Sequence, residues 1–168
     1  MTRTALIRGF ACLSALLCAL AVSAQPAEVA LTGRTTQGER VDLKALHGKV
    51  VLVFFWSTDC PVCLDKMPEF RRNLEGWRGK DFVIVAVNQD RSMDDLKRYE
   101  QVLDTFRPRE PQIKMVWRSD PAHRDNLGAL PLNAPTSLLL DRQGAVVRQV
   151  RGRIAPELWN DIAELVLN

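Results

Sequence analysis

The chain has 168 residues, 46% of them hydrophobic, and its 23 basic and 20 acidic residues give a formal net charge of +3. This length suits one domain with a hydrophobic core, and no internal repeat, low-complexity tract or linker divides it. The near balance of charge argues against a nucleic-acid-binding protein. Four basic residues stand among acidic and apolar neighbours and are interpreted as a solvated face: Arg107, Arg109, Lys114 and Arg118.

The first 24 residues have the three parts of a secretory signal peptide. A basic region with Arg3 and Arg8 precedes an apolar run of 13 residues and a small-residue cleavage site that ends at Ala24. The apolar run is shorter than the roughly 20 residues that a membrane-spanning helix needs. We therefore expect an exported protein whose mature domain covers residues 25–168 with a net charge of +1. An uncleaved membrane anchor is the alternative.

The first half of the mature chain predicts a hairpin, a strand and a helix. Leu31 to Leu43 alternates around turn-forming residues and predicts a small β-hairpin, which leads to a short turn at Lys44 to His47. Val50 to Trp56 is apolar without alternation, as expected for a central strand covered on both faces. From Cys60 to about Trp77 apolar residues recur at helical spacing, and Pro68 is expected to kink this helix rather than end it.

The second half continues the alternation and closes with a hairpin and a helix. Predicted strands lie at Phe82 to Val87, Ile113 to Trp117, Pro135 to Leu140 and Ala145 to Arg151. Predicted helices run from Ser92 to about Phe106, from Ser119 to Gly128 and from Pro156 to Leu167. The middle helix has Asp120 as a capping residue and Pro121 at its first position. Together these elements predict an α/β fold with a mixed sheet.

Cys60-Pro61-Val62-Cys63 follows the first buried strand, and its cysteines are the only two outside the N-terminal apolar run. At the start of a helix, unpaired backbone N–H groups and the helix macrodipole stabilise a thiolate, which is the nucleophilic form of cysteine. The motif therefore indicates thiol-disulfide exchange. A permanently closed structural disulfide is disfavoured, because so short a loop constrains the unfolded chain little.

No metal or cofactor is expected. Structural zinc usually has four ligands, yet the mature chain offers only the separated His47 and His123 beside the cysteine pair. Leu64 follows Cys63 at the position where a haem-attachment motif carries a histidine. Both histidines are interpreted as loop or surface residues.

The order of these motifs resembles that of the secreted thioredoxin-fold oxidoreductases of the TlpA/ResA type, over roughly residues 30–167. The resemblance is specific because the cysteine pair is combined with an X-Pro-Thr motif 72 residues beyond Cys63. It implies a thioredoxin fold with helices on both faces of a mixed central sheet, an N-terminal β-hairpin and a helix-strand insertion at about residues 90–118. Its motifs are the strand ending at Trp56, the cysteine pair, Pro68, Ala134-Pro135-Thr136 and Asp141-Arg142-Gln143-Gly144.

By this resemblance Cys60 is the exposed nucleophile and Cys63 the resolving thiol. Pro135 is the implied cis-proline beside the pair, and the backbone of Ala134 is then free to pair with an extended substrate segment. Composition alone favours an ordinary trans-proline at the first residue of a strand. The expected surroundings of the pair also include Trp56, Pro61 and Val62.

Three positions depart from the pattern of the family. Phe54 replaces a buried acid or amide, Lys66 replaces a glutamate, and Asp59 replaces an aromatic residue before the first cysteine. The two groups that most obviously move a proton to and from Cys63 are therefore missing. Lys66 either approaches Cys63, where a cation favours the thiolate, or is a surface lysine. Asp59 either opposes a Cys60 thiolate or caps the helix.

The leading hypothesis is a periplasmic protein thiol-disulfide oxidoreductase that reduces disulfides of exported proteins. A thiol-disulfide electron donor in the membrane must then keep the pair reduced, because the compartment is oxidising. The family implies apocytochrome c as one substrate class. The alternatives are a disulfide oxidant of the same fold, a copper(I)-delivery protein and a non-catalytic binding module. No exposed heptad or long apolar edge predicts a dimer, so a monomer is expected.

Overall fold

The computed structural model describes residues 28–106, 113–129 and 135–168. The predicted signal peptide, the basic residues Arg107 and Arg109, and Ala134 lie outside these ranges. Within them, no helix is both long enough and apolar enough to cross a membrane.

Eight strands and three α-helices are found in the described residues. The strands are β1 (Leu31–Arg34), β2 (Arg40–Asp42), β3 (Val50–Trp56), β4 (Phe82–Asn88), β5 (Lys114–Trp117), β6 (Arg124–Asp125), β7 (Thr136–Leu140) and β8 (Val146–Arg151). The α-helices are α1 (Pro61–Gly76), α2 (Met93–Phe106) and α3 (Glu157–Leu167), and a 3-10 helix (Leu43–Leu46) follows β2. Apart from the predicted helix at residues 119–128, the predicted elements are confirmed with nearly the same ends. Helix α1 continues through Pro68, as predicted.

Strand β3 is the centre of a five-stranded sheet with the order β5-β4-β3-β7-β8. Strands β3, β4 and β5 run parallel, whereas β7 is antiparallel to both β3 and β8. The predicted mixed sheet is therefore confirmed. Every residue of β3 is buried, as the unbroken apolar run predicted.

Alternate side chains of β3 enter two core clusters on opposite faces of the sheet. Phe54 and Trp56 belong to the cluster that also holds the buried residues of all three α-helices. Val53 and Phe55 belong to the other cluster, which β1, β2 and the 3-10 helix close. The α/β class agrees with the prediction, but among the described residues the α-helices cover one face of the sheet rather than both.

Among the described residues no α-helix covers the second face, because residues 119–128 do not form the helix that the sequence predicted. This segment forms turns and the short strand β6, which pairs antiparallel with β1 in a small sheet of order β2-β1-β6. Asp120 does accept a hydrogen bond from the backbone N of Ala122 at 2.7 Å, as a helix cap does. However, Asn126 ties the chain to β1 by accepting from the backbone N of Ala30 at 3.0 Å. These tertiary hydrogen bonds prevail over the local helix signal.

A charge cluster joins the small sheet to the large one. Arg118 donates from Nε and Nη2 to the Asp125 carboxylate at 2.7 and 2.8 Å, and its guanidinium carbon lies 5.3 Å from the centre of the Phe55 ring. His123 Nε2 lies 2.9 Å from Asp125 Oδ2. Burial opposes ionisation of Asp125, but hydrogen bonds from Arg118, from the backbone of Leu127 and from His123 lower its pKa to about 2. Arg118 is half-buried in this cluster rather than part of a solvated face. His123 lies in a loop, as one of the two predicted alternatives has it, but is only 7% exposed.

The predicted turn between β7 and β8 is present. Asp141 Oδ1 accepts hydrogen bonds from the backbone N atoms of Gln143 and Ala145, both at 2.9 Å. Gly144 has a φ of +82°, and an added Cβ would lie 2.7 Å from Nε2 of His47. The turn therefore needs glycine at this position. His47 itself is exposed, as predicted.

Candidate active site

The cysteine pair lies at the start of α1, shortly after the end of β3, on the face of the sheet that the α-helices cover. Cys60 is the N-cap residue of α1, with extended backbone (φ −102°, ψ 98°), and Pro61 opens the helix. Proline suits this place because its fixed φ is helical and its missing N–H would have no partner in the helix. The Sγ of Cys60 accepts a hydrogen bond from the backbone N of Cys63 at 3.2 Å. A sulfur of the pair thus performs the capping role usually taken by an oxygen.

Cys60 and Cys63 form a disulfide, with an S–S distance of 2.10 Å and a Cα–Cα distance of 5.2 Å. The structure therefore describes the oxidised protein. The two cysteines are close in space because one helical turn separates them, so the pair needs no rearrangement of distant elements to close.

Both sulfurs are buried, in contrast to the exposed Cys60 that the resemblance implied. Cys60 is 1% exposed and Cys63 is fully buried, and both belong to the core cluster that includes Trp56. Asp59 and Pro61, the residues on either side of Cys60, are exposed.

Asp59 is not the helix cap. The cap residue is Cys60, and within the described residues the Asp59 carboxylate has no hydrogen-bond partner. Of the two alternatives for Asp59, the capping role is therefore excluded in the oxidised protein. Val62, the other residue between the cysteines besides Pro61, is half-buried against the core.

Lys66 is buried, so the interpretation as a surface lysine is wrong. It is 8% exposed, and its Nζ lies 2.8 Å from Glu69 Oε2. The other Glu69 oxygen accepts a hydrogen bond from Nε1 of Trp159 in α3. Burial raises the pKa of Glu69, but the hydrogen bonds from Lys66 and Trp159 outweigh burial and leave the pKa below its usual value. Glu69 is thus a charged residue of the site region that the sequence did not single out.

Trp56 is the last residue of β3 and packs against α2, the helix of the insertion. Its ring is fully buried and meets the ring of Tyr99 from α2 edge-on, with the centres 4.9 Å apart. The Tyr99 hydroxyl accepts a hydrogen bond from Nη2 of Arg71 in α1 at 3.2 Å. Within the described residues Nε1 of Trp56 has no hydrogen-bond acceptor. The insertion therefore packs against the end of β3 and against α1, which strand and helix patterns alone do not indicate.

Pro135 lies next to the end of β3. It precedes Thr136, the residue of β7 that pairs with Phe55, and its carbonyl oxygen accepts from the backbone N of Gly152 at 2.8 Å. The strand ladder thus brings Pro135 to the end of β3 from which the chain continues to the redox pair. Ala134 and the peptide bond that joins it to Pro135 lie outside the described residues.

Two polar residues near the end of β4 were missed by the sequence analysis. Asn88 is fully buried and Asp90 is 7% exposed. Their side chains are hydrogen-bonded to each other, and Asp90 also accepts from the backbone N of Thr58, in the loop before Cys60. The available signal was their position, since polar residues that follow a buried parallel strand gather at the edge of the sheet where sites are built.

Comparison with known proteins identifies the family of this chain and several relatives. A family model described as the AhpC/TSA family matches residues 23–155. The thiol-disulfide oxidoreductase ResA of Bacillus subtilis is 28% identical over 131 residues, which cover 78% of this chain and 69% of that protein. The ResA of Bacillus thuringiensis subsp. konkukian is 27% identical over 123 residues. These residues make up 72% of this chain but only 65% of the length of that relative.

Solved structures show the same fold. A thiol:disulfide interchange protein of the thioredoxin family from Chlorobium tepidum TLS superposes with a TM-score of 0.65 and 20% identity. The match covers 86% of this chain and 99% of that one. The predicted thioredoxin fold is therefore confirmed.

Proposed function

Because the chain belongs to the AhpC/TSA family and is a thioredoxin-fold protein of the TlpA/ResA type, we propose that it is a protein thiol-disulfide oxidoreductase. The observation that carries this proposal is the Cys60–Cys63 disulfide at the first turn of α1. A pair of cysteines in this place supplies a nucleophile at the helix N-terminus and a second thiol one turn away.

In the proposed reaction the reduced protein attacks a disulfide of a substrate. The Cys60 thiol gives its proton to solvent, and the thiolate bonds to one substrate sulfur while the substrate S–S bond breaks and the other sulfur leaves as a thiolate. Cys63 then loses its proton and attacks the Cys60 sulfur of the mixed disulfide. The second substrate sulfur leaves, and the Cys60–Cys63 bond forms. The substrate has gained two electrons and takes up two protons, and the protein has lost both.

The assignment of the two roles follows from position. Cys60 is the N-cap residue, where the free N–H groups of the first turn and the positive end of the helix macrodipole stabilise negative charge on sulfur. The backbone N of Cys63 already points at that sulfur, at 3.2 Å in the disulfide form. Cys63 is enclosed in the first turn and is placed to release a mixed disulfide rather than to start one.

Lys66 is proposed to support Cys63. Residues three apart on a helix lie on the same side, so Lys66 follows Cys63 by one turn of α1. The buried lysine pairs with Glu69, which is itself hydrogen-bonded to Trp159. A cation there favours the Cys63 thiolate that must form when the mixed disulfide is resolved.

The substrates are proposed to be exported proteins with disulfides, in the periplasm. This is supported by the signal-peptide pattern of the N-terminus and by the relatives named above, which are thiol-disulfide oxidoreductases. Pro135, with the backbone of Ala134, is the proposed docking point for an extended substrate segment. A membrane thiol-disulfide donor returns two electrons to the Cys60–Cys63 disulfide after each cycle, and the protein acts as a monomer.

The first test separates the roles of the two cysteines. Cys60→Ser is expected to abolish reduction of a substrate disulfide. Cys63→Ser is expected to accumulate a mixed disulfide through Cys60, because the resolving thiol is absent. The adducts are measured by mass spectrometry under non-reducing conditions. Equal turnover in both variants would contradict the proposed function.

The direction of electron flow is tested by the reduction potential of the pair, measured in defined thiol buffers by the mass shift on alkylation. A potential near about −270 mV supports a reductant, and one near about −120 mV supports an oxidant. A pair without a two-electron transition that binds one copper(I) would instead support metal delivery.

A further inference from the structure

Asp90 places a buried carboxylate against the loop that leads into Cys60. Its Oδ1 accepts a hydrogen bond from the backbone N of Thr58 at 3.0 Å. Its Oδ2 accepts from Nδ2 of Asn88 at 2.8 Å, and Asn88 Oδ1 in turn accepts from the backbone N of Asp90 at 3.1 Å. Two hydrogen bonds between Asn88 and Asp90 thus fix both side chains, and the remaining carboxylate oxygen accepts from the backbone N of Thr58.

The backbone of Asp90 is fixed as well. Its carbonyl oxygen accepts from Nε1 of Trp117 in β5 at 2.8 Å and from the hydroxyl of Ser119 at 3.4 Å. The main chain that bears the carboxylate is therefore anchored to the end of β5 and to the residues that follow it. The carboxylate offers the loop a rigid acceptor rather than a mobile side chain.

Thr58 transmits this restraint to the nucleophile. Only Asp59 separates it from Cys60, and the backbone N of Cys60 donates to the carbonyl oxygen of Ser57 at 3.2 Å. The loop is thus a tight turn with one end at β3 and the other at the first residue of α1. A displacement of the Thr58 amide moves the Cys60 sulfur relative to the helix N-terminus.

The chemistry of the hydrogen bonds explains why a carboxylate is used. Within the described residues no cationic side chain pairs with Asp90, whose carboxylate accepts only from neutral N–H groups. Burying a charge without a counter-ion costs stability, so general stability does not account for it. Both carboxylate oxygens act as acceptors here, whereas an asparagine at position 90 would set its own NH₂ group against Thr58 or Asn88.

We propose that Asp90 is a positioning residue for Cys60, an inference that rests on the oxidoreductase function proposed above. Its carboxylate holds the loop so that the Cys60 sulfur stays at the N-terminus of α1 when the disulfide opens. The geometry required for attack on a substrate disulfide is then already present in the reduced protein.

The test compares three changes made in the full-length chain: Asp90→Ala, Asp90→Asn, and the exchange Asn88→Asp with Asp90→Asn. The exchange restores all three hydrogen bonds with the polarity of the pair reversed. The carboxylate at position 88 accepts from the amide and the backbone N of position 90, and the amide oxygen at position 90 accepts from Thr58. Asp141→Asn is the matched control, since Asp141 accepts backbone N–H groups in the same way but in the distant β7–β8 turn.

Each change is measured in two backgrounds. With Cys63→Ser, the rate at which Cys60 forms a mixed disulfide with 5,5′-dithiobis(2-nitrobenzoate) reports attack by the nucleophile. With both cysteines present, equilibration in thiol buffers gives the reduction potential. Urea unfolding of every variant gives the free energy of unfolding, which reports a structural contribution separately.

We expect Asp90→Ala and Asp90→Asn to slow attack about tenfold or more and to shift the potential of the pair, because small displacements of a reacting group have large effects on rate. The exchange is expected to return both quantities toward those of the parent protein. Asp141→Asn is expected to lower the free energy of unfolding while leaving rate and potential unchanged.

Two results would overturn the inference. One is an unchanged rate and potential in Asp90→Ala, with a loss of unfolding free energy alone, as in the control. The other is an exchange that restores the free energy of unfolding but not the rate. If the parent Cys60 does not attack the probe and the wild-type pair shows no two-electron transition, the proposed oxidoreductase function itself fails and the inference falls with it.

Discussion

Phe54 shows how a single substitution changes what supports the redox pair. The family resemblance implies an acid or an amide at this position of the central strand. Here the fully buried ring packs edge-on against Phe70 of α1, with the centres 4.8 Å apart. Polar or charged groups near the redox pair must therefore come from other positions. The structure shows two candidates: the ion pair of Lys66 with Glu69, and the carboxylate of Asp90.

Lys66→Met tests the buried ion pair at the residue scale. Methionine keeps the apolar length of the side chain but leaves Glu69 without its cation, so we expect a loss of about 2 kcal/mol at pH 7. In the wild type the pKa of Glu69 lies below its usual value of 4.5. The ionised carboxylate therefore stabilises the folded protein fully above pH 4.5, and this stabilisation is lost as the pH falls through the lowered pKa. In the variant, burial without the cation raises this pKa, and protonation relieves the penalty in acid. The free energy of unfolding in urea at pH 7 and pH 4 measures the difference.

Arg153→Met is the control for this prediction. Arg153 pairs with Asp65 at 2.7 Å, but both side chains are 61% exposed, so the loss should stay below about 1 kcal/mol. An equal loss at pH 7 and pH 4 in Lys66→Met would show that the lysine contributes only packing.

At the scale of elements, α2 is the part of the insertion that packs against the end of β3, from which the chain continues to the redox pair. Its amphipathic pattern predicted a helix but not the element it covers. In the structure, Leu96 enters the core cluster that contains the cysteines, and Tyr99 contacts Trp56. The helix therefore contributes to the core that the redox pair shares and contacts the last residue of β3.

Leu96→Ala tests this packing. Leu96 is fully buried, so truncation removes apolar contacts and leaves a cavity, with an expected loss of about 3 kcal/mol in the free energy of unfolding. Val102→Ala is the control on the same helix, because Val102 is 56% exposed and should cost under about 0.5 kcal/mol. Similar losses in the two variants, measured by urea unfolding, would mean that α2 does not pack on the core as described.

The segment at residues 119–128 shows where element prediction fails. Asp120 and Pro121 are good helix-start residues, and the Asp120 cap bond is indeed present. The chain nevertheless forms a strand, since β6 completes the hydrogen bonding of β1, some 90 residues earlier in the sequence. No local pattern reports a partner at that separation.

At the scale of the whole molecule, the Arg118–Asp125 ion pair holds the two sheets together. The pKa of Asp125 falls from 3.8 to about 2 on folding, so its stabilising contribution is complete above its unfolded pKa and is lost as the pH falls toward 2. This contribution is about 2 kcal/mol. Asp125→Asn should lose it at pH 5 and should weaken the decline of stability between pH 4 and pH 2, as followed by urea unfolding.

Asp81→Asn is the control for this acid dependence. Asp81 pairs with Lys49 at 3.1 Å but is 63% exposed, and its removal should leave the decline nearly unchanged. If stability declined between pH 4 and pH 2 as steeply in Asp125→Asn as in the wild type, the acid dependence would not come from the Arg118–Asp125 ion pair.

The sequence by itself determined the elements and the position of the chemistry. The central strand, the helix that opens at Cys60 and the Cys-x-x-Cys pair are encoded by local hydrophobic patterns and short spacings, which do not depend on distant partners. Together with the Ala134-Pro135-Thr136 motif they were sufficient to identify the TlpA/ResA type.

Only the tertiary structure decided how these elements support the pair. Three features depend on parts of the chain that carry no common sequence pattern. They are the burial of Cys60, the hydrogen bond from Trp159 to Glu69, the partner of Lys66, and the hydrogen bond from Thr58 to Asp90, 32 residues away. The physical reason is that burial and hydrogen-bond pairing depend on which surfaces meet after the sheet has formed. A periodic pattern reports only which face of an element is apolar.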